Sequence, residues 1–235
     1  MGKKGYGSAY GEPQRTCYWY INYLKKYFKR DFNVLVIDAL DGLHVLPFAR
    51  HGIHVDCYET NKKLLYGGKI DDYAIKGLYE KIKCFDLSDY INVYEKNFYD
   101  FDIDKKYDFV YVYRSLHLDK NKNIELEKKI KKILSCVKVN GFVYILYHLS
   151  NTDFDYHTYP KNQYLRKGQM SRMFNYTWKI LDNHERNMLT IHKSHPFHPI
   201  DHKHRVGYIF ACKKSYYKKN IFHYNIKGYY IAKED

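Results

Sequence analysis

Short apolar runs alternate with helical segments over residues 33–148, and this alternation constrains the fold more than any other feature of the chain. The run NVLVIDAL at 33–40 is almost entirely apolar and rich in β-branched residues, as in strands that are covered on both faces of a parallel sheet. A helical segment at 43–52 ends at Gly52, and the run IHVDCYE at 53–59 has the character of a second strand. The three segments together predict a βαβ unit.

The same pattern extends in both directions along the chain. Ahead of the first strand we predict a helix over Thr16–Lys29, and after the second strand we predict a helix at 73–83, strands at 91–101 and 107–118, a helix at 123–141 and a strand at 142–148. The last third predicts a helix at 168–181, strands at 187–195 and 206–214, and a hairpin at 222–234. This order predicts an α/β fold, a Rossmann-like doubly wound, mostly parallel seven-stranded sheet with an antiparallel C-terminal strand.

The composition bounds the class of protein. A length of 235 residues suits a single domain, and neither a linker nor an internal repeat indicates a second one. No apolar run approaches the roughly 18–20 residues of a membrane span, and the start MGKKGYGSAYGEPQR has no apolar signal-peptide region. Five cysteines stand singly without a CxxC pair, which suits a reducing compartment. We therefore predict a soluble, cytoplasmic protein with no membrane partner.

The charge balance is strongly basic. The formal net charge of +14 favours polyanions such as nucleic acid. However, the 28 tyrosines beside abundant Lys, Asn and Ile indicate a compositional bias that raises the charge without selecting a partner. The basic residues are also spread over the whole sequence instead of forming one block, so nucleic-acid binding is a secondary prediction.

An acid closes the second predicted strand. In doubly wound sheets the ligand binds at the carboxyl ends of the strands, and an acid at the end of the second strand accepts hydrogen bonds from ribose hydroxyls. Glu59 lies 17 residues after Gly42, close to the expected spacing of about 20. Glu59 is therefore a candidate ribose ligand, and an ordinary polar strand end is the alternative interpretation.

The segment VLVIDALDGLHVLPFARHGIHVDCYE at 34–59 resembles the cofactor-binding region of the class I S-adenosylmethionine (SAM)-dependent methyltransferases. It points particularly to the small-molecule branch that includes tellurite-resistance-type enzymes, and the likeness extends over about residues 18–214. The resemblance implies SAM as cofactor and one domain with three parts: a helical segment at 1–30, a SAM-binding half at 31–150, and an acceptor-side region with the sheet edge at 151–235.

The glycine-rich loop of that family is altered in this chain. Gly42 takes the family's last glycine and Glu59 its ribose-binding acid, whereas Asp38 and Leu40 stand at the first two glycine positions and Val36 stands at the usual acid. A rival register places Asp38 on the family's acid and keeps Gly42. In either register the resemblance implies that Asp38 faces the SAM ammonium and that Leu40 and Gly42 contact the cofactor.

Two later segments imply further cofactor contacts by the same resemblance. Asn97 and Phe98 stand where the family holds the adenine amino group and ring, and the side-chain carbonyl of Asn suits that hydrogen bond. A turn asparagine is the alternative for Asn97. The segment at 107–118 resembles the family's fourth-strand motif, which places Arg114, Ser115 and His117 near the donor methyl group.

Methyl transfer from a sulfonium is an in-line displacement, so the enzyme chiefly aligns the acceptor, the methyl group and the sulfur. A general base is needed only where the acceptor loses a proton. We predict His117, Tyr147 and His148 as catalytic candidates because they stand at the carboxyl edge of the sheet and histidine titrates near neutrality. His157 and Tyr159 lie on the loop beyond, and a packed or solvent-facing role is the alternative for each of these residues.

A group of histidines near the C-terminus comprises His192, His195, His198, His202 and His204. Histidines at short spacings occur in metal sites, but here no cysteine and only Asp201 accompany them, and two prolines interrupt the segment. We therefore predict no metal. The family resemblance implies instead that His195, His204 and Arg205 contact an anionic or polar acceptor.

The sequence thus predicts a SAM-dependent methyltransferase that transfers a methyl group to a small-molecule acceptor. Asp38 and Leu40 support a first alternative, a non-catalytic or altered-cofactor binding protein on the same fold. The basic surface supports a second, a nucleic-acid methyltransferase. Neither the acceptor nor the oligomeric state follows from the sequence.

Overall fold

Helices and strands alternate along the part of the chain that the computed structural model describes, which comprises residues 7–11, 13, 15–70, 73–150, 161–186, 189–192, 202–215, 222–224 and 230–232. The described residues divide into two compact units, one ending at Phe101 and the other beginning at Asp102. The single domain inferred from the sequence stays a prediction. No helix within the described ranges is long and apolar enough to cross a membrane.

The first unit is built on three parallel strands. Helix α1 (Arg15–Phe28) buries residues that recur at the helical period. Strand β1 (Asn33–Ile37), helix α2 (Val45–Arg50) and strand β2 (His54–Tyr58) then form the predicted βαβ unit, in which β1 and β2 pair in parallel. All but the first residue of each strand is buried, which explains the apolar character of β1 after Asn33, whereas β2 also buries the polar Asp56.

The rest of the first unit comprises α3 (Lys62–Tyr66), β3 (Gly68–Ile70), β4 (Tyr73–Ile75), α4 (Leu78–Cys84), β5 (Ile91–Tyr94) and a 3₁₀ turn at Phe98–Asp100. Strand β5 pairs in parallel with β2, so the strand order in this unit is β5-β2-β1. Strands β3 and β4 form a separate antiparallel hairpin.

The predicted helix at 73–83 is wrong in its first half. Residues 73–75 form strand β4, and the helix begins only after Gly77. The backbones of Gly67 and Gly77 come into close contact, since a Cβ on Gly77 would lie 2.3 Å from the Gly67 nitrogen. The two glycines therefore permit a hairpin where helical periodicity alone favoured a longer helix.

The second unit comprises β6 (Tyr107–Tyr113), a 3₁₀ turn at Asp119–Asn121, α5 (Leu126–Ser135), β7 (Val137–Leu149), α6 (Gln169–Arg172), β8 (Trp178–Glu185), β9 (Thr190–His192), β10 (His202–Lys213), β11 (Phe222–Tyr224) and β12 (Tyr230–Ala232). Strands β6 and β7 are parallel, whereas β10 runs antiparallel to β7, β8 and β9. Strands β11 and β12 form the predicted hairpin.

The predicted fold class is confirmed. Among the described residues, the first unit contributes β5, β2 and β1 to the main sheet, and the second contributes β6, β7, β10 and β8, with β9 paired to β10 outside this order. Strand β10 is antiparallel to β7, as predicted for the C-terminal strand, but it lies between β7 and β8 and not at the edge.

Two predicted helices in the second unit are too long. The helix predicted at 123–141 ends at Ser135, and β7 begins at Val137, which pairs with Tyr107. Asn140, with a left-handed φ of 62°, and Gly141 therefore lie within β7, where the pairing with β6 changes register, and do not end a helix.

The helix predicted at 168–181 gives way to a strand. Helix α6 ends at Arg172, and β8 begins at Trp178. Between them the Asn175 side chain accepts hydrogen bonds from the Thr177 amide at 3.0 Å and the Thr177 hydroxyl at 2.6 Å. This Asx turn redirects the chain into its pairing with β10.

Candidate functional site

The loop after β1 has left-handed backbone at three alternate residues. The φ angles are 58° at Asp38, 53° at Leu40 and 97° at Gly42. These are the positions that the ungapped family alignment assigns to glycines, so the backbone of the loop follows that alignment and does not favour the rival register. Left-handed backbone costs a non-glycine residue about 1–2 kcal/mol, least for Asp and Asn.

Glu59 holds this loop in place. Its Oε2 accepts a hydrogen bond from the Leu40 amide at 2.9 Å, and its Oε1 accepts from the amides of Thr60 at 2.8 Å and Asn61 at 2.9 Å. The Glu59 side chain is buried at the carboxyl end of β2. The strained Leu40 position is therefore stabilised by a charge-assisted hydrogen bond.

Asp41 anchors the loop to two other segments. Lys81 of α4 donates to Oδ2 of Asp41 at 2.8 Å and to its carbonyl oxygen at 2.9 Å. From the N-terminal segment, the Ser8 hydroxyl and the Ala9 amide donate to the Asp41 carboxylate at 2.6 and 2.7 Å. Asp41 and Lys81 are both fully buried, so neither charge is exposed to water.

Tyr10 lies close to the same two carboxylates. Burial raises the pKa of its phenol, and the charges of Asp41 and Glu59 raise that pKa further. Tyr10 is therefore a neutral hydroxyl throughout the physiological range. The sequence analysis did not single out Ser8, Tyr10 or Lys81, although Lys81 lies between Leu78 and Ile82 on the buried face of α4.

Asn97 and Phe98, the residues proposed to contact the adenine, have local structural roles in the structure. The Asn97 side chain accepts a bond from the Tyr99 amide at 3.4 Å and donates to Oδ1 of Asp100 at 2.9 Å, so it caps the 3₁₀ turn. Phe98 is buried, with its ring centroid 5.6 Å from that of Tyr58. The adenine role of Asn97 and Phe98 stays a prediction.

Three histidine rings stack in the second unit. The ring centroids of His117 and His148 lie 3.9 Å apart, and those of His148 and His204 lie 4.1 Å apart, with interplanar angles of 28° and 22°. We call His117, His148 and His204 the histidine cluster. His117 follows β6, His148 lies near the end of β7, and His204 lies on β10.

The pKa of His117 differs from the near-neutral value expected from the sequence. Burial lowers its pKa to about 3, with smaller contributions from the nearby positive charges of His204, Arg114 and Lys129. The expectation that this histidine titrates near neutrality is therefore wrong. Among the described residues, its buried Nδ1 atom has no hydrogen-bond partner.

Arg114 ends β6 in a left-handed conformation with a φ of 57°. Its guanidinium lies 5.0 Å from the centroid of the Tyr113 ring, a cation–π geometry. Burial lowers the pKa of Arg114, although a guanidinium stays charged at neutral pH. Its cofactor role stays a prediction.

Tyr147 lies next to His148 in sequence but takes part in a different set of contacts. Its hydroxyl donates to Oε1 of Glu185 at 3.0 Å, and the Gly168 amide donates to the same carboxylate at 2.8 and 3.0 Å. Successive strand residues point to opposite faces. The Tyr147 ring covers Gly207, where a Cβ would lie 2.7 Å from the ring. Its catalytic role stays a prediction.

A cavity of about 530 Å³ opens in the second unit. The described residues that line it include four cations, Lys161, Arg166, Lys167 and Arg172. This cavity was not among the sites predicted from the sequence. The available signal was the segment 161–181, which carries five cations and no acid.

Several residues named from the sequence lie outside the described residues. These are His157, Tyr159, His195, His198 and Asp201. Within the described ranges no group of three or more His, Cys, Asp or Glu side chains is arranged to hold a metal ion.

This chain has the fold of the class I SAM-dependent methyltransferases, as its strand order, the backbone of the loop after β1 and its similarity to solved structures show. It is similar to TehB from Haemophilus influenzae at 17% identity and a TM-score of 0.61, over 83% of this chain and 62% of TehB. The chain thus spans less than two thirds of the length of TehB. No protein-family model and no curated protein sequence matches it.

Two further solved structures match this chain over most of its length and most of their own. The CcbJ methyltransferase from Streptomyces caelestis is 11% identical, with a TM-score of 0.56 over 90% of this chain and 94% of its own. The 1,6-didemethyltoxoflavin-N1-methyltransferase from Burkholderia thailandensis, with 1,6-didemethyltoxoflavin and S-adenosylhomocysteine bound, is 10% identical, with a TM-score of 0.53 over 86% of this chain and 78% of its own. Identity at this level shows the fold.

Proposed function

We propose that this protein is a SAM-dependent methyltransferase that acts on a small-molecule acceptor. The observation that carries the proposal is the loop after β1, which keeps left-handed backbone at Asp38, Leu40 and Gly42 although only one of them is glycine. A chain that no longer used this loop would have little reason to retain two strained residues there. The similarity to solved methyltransferases supports the same activity.

The residues around this loop fit the cofactor. Glu59 offers a buried carboxylate at the carboxyl end of β2, the position at which doubly wound folds bind a ribose. Asp38 offers negative charge to the SAM ammonium, and Leu40 and Gly42 offer backbone against the cofactor. Asn97 and Phe98 for the adenine, and Arg114 beside the donor methyl, complete the proposed set on the family resemblance.

Bound SAM supplies a methyl group on a sulfonium, and the protein contributes orientation for an in-line displacement. Of the histidine cluster, His117 is neutral at physiological pH, since its pKa is about 3. We propose that His117, as a neutral ring stacked on His148, helps to orient the substrate. His148 is the candidate base where the acceptor loses a proton. Tyr147 is a weaker candidate because its hydroxyl is bonded to Glu185.

Calorimetric titration of the whole chain with SAM and S-adenosylhomocysteine tests the proposal. We expect saturable binding and a thermal shift that grows with ligand concentration, because a ligand that binds only the folded state stabilises it. Absence of both signals at millimolar ligand would overturn the enzyme assignment and leave only the fold.

Asp38 and Leu40 favour one alternative, a binding protein on the same fold that has lost or altered its cofactor pocket. Leu40 is only half-buried, and its side chain extends from a position where the family has glycine. This alternative predicts polyanion binding that weakens with salt and no uptake of SAM. A nucleic-acid methyltransferase would show both signals in the same titrations.

A further inference from the structure

The basic cavity of the second unit has the dimensions of a small-molecule site. Its volume of about 530 Å³ lies within the usual range of roughly 300–1,000 Å³ for ligand pockets. Among the described residues, its lining combines the cations with hydroxyl and amide side chains, including Ser150, Tyr164 and Gln169.

Cations predominate among the described residues that line this cavity. Lys161, Arg166, Lys167 and Arg172 line it, whereas Glu127 is the only carboxylate among the described lining residues. A second acid, Glu185, lies close enough to Lys167 and Arg172 for their charges to lower its pKa, although burial has the larger effect and raises it. The described lining residues of the cavity thus carry four cations and one carboxylate.

Backbone hydrogen bonds fix the wall that carries these cations. The Leu165 amide donates to the His148 carbonyl at 3.0 Å, and the Ser150 amide donates to the Leu165 carbonyl at 2.8 Å. The Gln163 side chain donates to the His117 carbonyl at 2.6 Å. The wall thus lies directly alongside the end of β7, as the bridge between Leu149 and Leu165 shows.

A buried lysine adds a further anchor. Nζ of Lys129, on α5, donates to the carbonyl of Leu116 at 2.9 Å and to the carbonyl of Asn162 at 2.8 Å. Lys129 is fully buried, so its charge is satisfied by main-chain oxygens and not by solvent. The segment that carries the cations is therefore held against the segment that follows β6.

The cavity adjoins the histidine cluster. Tyr164 lines the cavity, and its ring centroid lies 5.6 Å from that of His148. Ser150 also lines the cavity and follows His148 by two residues. A ligand held by the cations would thus lie beside the residues assigned above to substrate orientation and proton removal.

We propose that this cavity binds the methyl acceptor through an anionic group, a phosphate or a carboxylate. The identification of that ligand as the acceptor rests on the proposed methyltransferase function. Arg166 and Arg172 carry planar guanidinium groups, which match the oxygens of both anions in a bidentate geometry. Lys161 and Lys167 supply point charges around the same site.

The test compares aromatic anions with neutral aromatic molecules, each titrated into the whole chain. Phenyl phosphate and benzoate are titrated beside phenol and benzamide by calorimetry at about 0.15 M salt, where exposed charges are screened beyond roughly 8 Å. We expect the anions to bind about tenfold more tightly than the neutral molecules, because hydrogen bonds to charged groups are the stronger ones. Equal affinities would overturn the proposal without any variant.

A matched pair of double variants identifies the cations responsible. Arg166→Gln with Arg172→Gln removes two charges from the cavity, and Lys25→Gln with Lys26→Gln removes two from the exposed face of α1. We expect the first to weaken phenyl phosphate binding about tenfold or more and the second to leave it unchanged. Equal loss in both would show a general effect of net charge and overturn the site.

Two further titrations separate this proposal from the others. A single-stranded oligonucleotide that bound more tightly than phenyl phosphate, with a steep salt dependence, would replace the small anion by nucleic acid. S-adenosylhomocysteine is titrated in the same series. Anion binding without nucleoside binding would support the cavity and overturn the methyltransferase function, whereas nucleoside binding without anion binding would do the reverse.

Discussion

The amide of Leu40 donates a hydrogen bond of 2.9 Å to Oε2 of Glu59, so the end of β2 holds the loop that follows β1. The carboxylate proposed to bind ribose is therefore also the group that fixes the strained loop. One residue couples the stability of the loop to the affinity for the cofactor.

The variant Glu59→Gln tests both roles at once. The amide keeps one acceptor oxygen but loses the charge and places an N–H₂ group against backbone donors. We expect the free energy of unfolding to fall by about 1–3 kcal/mol and S-adenosylhomocysteine binding to weaken about tenfold or more. Chemical denaturation and calorimetry measure the two effects. Glu80→Gln, at a surface ion pair with Lys76, is the control, and an equal effect there would contradict the assignment.

The buried pair of Asp41 and Lys81 predicts a large stability effect. Replacing Lys81 with Met leaves the Asp41 carboxylate buried without its cation, and we expect a loss of about 3–5 kcal/mol in urea unfolding. Lys76→Met removes an exposed cation just before α4 and should cost less than about 1 kcal/mol. Similar losses for the two variants would show that the buried pair contributes little.

Leu40→Gly tests the strain in the loop. Glycine adopts a φ of 53° without the penalty that a side chain pays, but it also gains entropy in the unfolded chain. We expect unfolding stability to change by less than about 1 kcal/mol, because the two effects oppose each other. We also expect tighter S-adenosylhomocysteine binding, because the half-buried side chain is removed. Weaker binding would mean that the leucine itself contacts the cofactor.

Gly42→Ala, in contrast, should destabilise the folded protein. Its φ is 97°, and an added Cβ would lie 3.0 Å from Cγ of Leu46 and from Cδ1 of Leu78. We expect a loss of about 1–3 kcal/mol in thermal or urea unfolding, through backbone strain and overpacking. Gly52→Ala is the control for strain alone, since its φ is 72° and nothing lies within 4 Å of the added Cβ. An equal loss at Gly52 would exclude overpacking as a cause.

His117 predicts a pH dependence of stability. Its pKa is about 3 in the folded protein, whereas an unfolded histidine titrates near 6.5. Protons therefore bind preferentially to the unfolded chain, so the contribution of His117 is complete above pH 6.5 or so and is lost progressively toward pH 3. Urea unfolding between pH 7 and 5, about the upper part of this window, measures it.

The variant His117→Asn should flatten that pH profile. The control is His54→Asn, on an exposed position of β2, which should leave the profile as in the original chain. The comparison uses the slope with pH and not the stability at one pH, so a simple loss of packing does not imitate the result. Parallel profiles for the original chain and His117→Asn would contradict the depressed pKa.

The strands were predictable because burial on both faces leaves an unbroken apolar run, as in NVLVI of β1. The end of the helix predicted at 168–181 was not predictable, because Met170, Met173 and Phe174 continue the helical spacing beyond Arg172. The Asx turn at Asn175 depends on a side-chain hydrogen bond, which hydrophobic periodicity does not reveal. The predicted end of the helix at 123–141 was wrong for a similar reason. Asn140-Gly141 suits a helix end and a strand irregularity equally well.

The candidate site was predictable only in part. Glu59 and the histidines at strand ends follow from the general position of ligands in doubly wound sheets. The contact between Glu59 and Leu40, the stacking of His148 with His204, and the anchoring of Asp41 all join residues far apart in sequence. Such contacts arise from tertiary packing, which a single sequence does not display.

Lys129 bonds two main-chain oxygens, so its hold on the wall of the basic cavity does not depend on which side chains stand at Leu116 and Asn162. Neighbouring positions can therefore mutate while this attachment persists. Substitution of the cations that line the cavity would therefore change its charge and leave this attachment to the backbone in place.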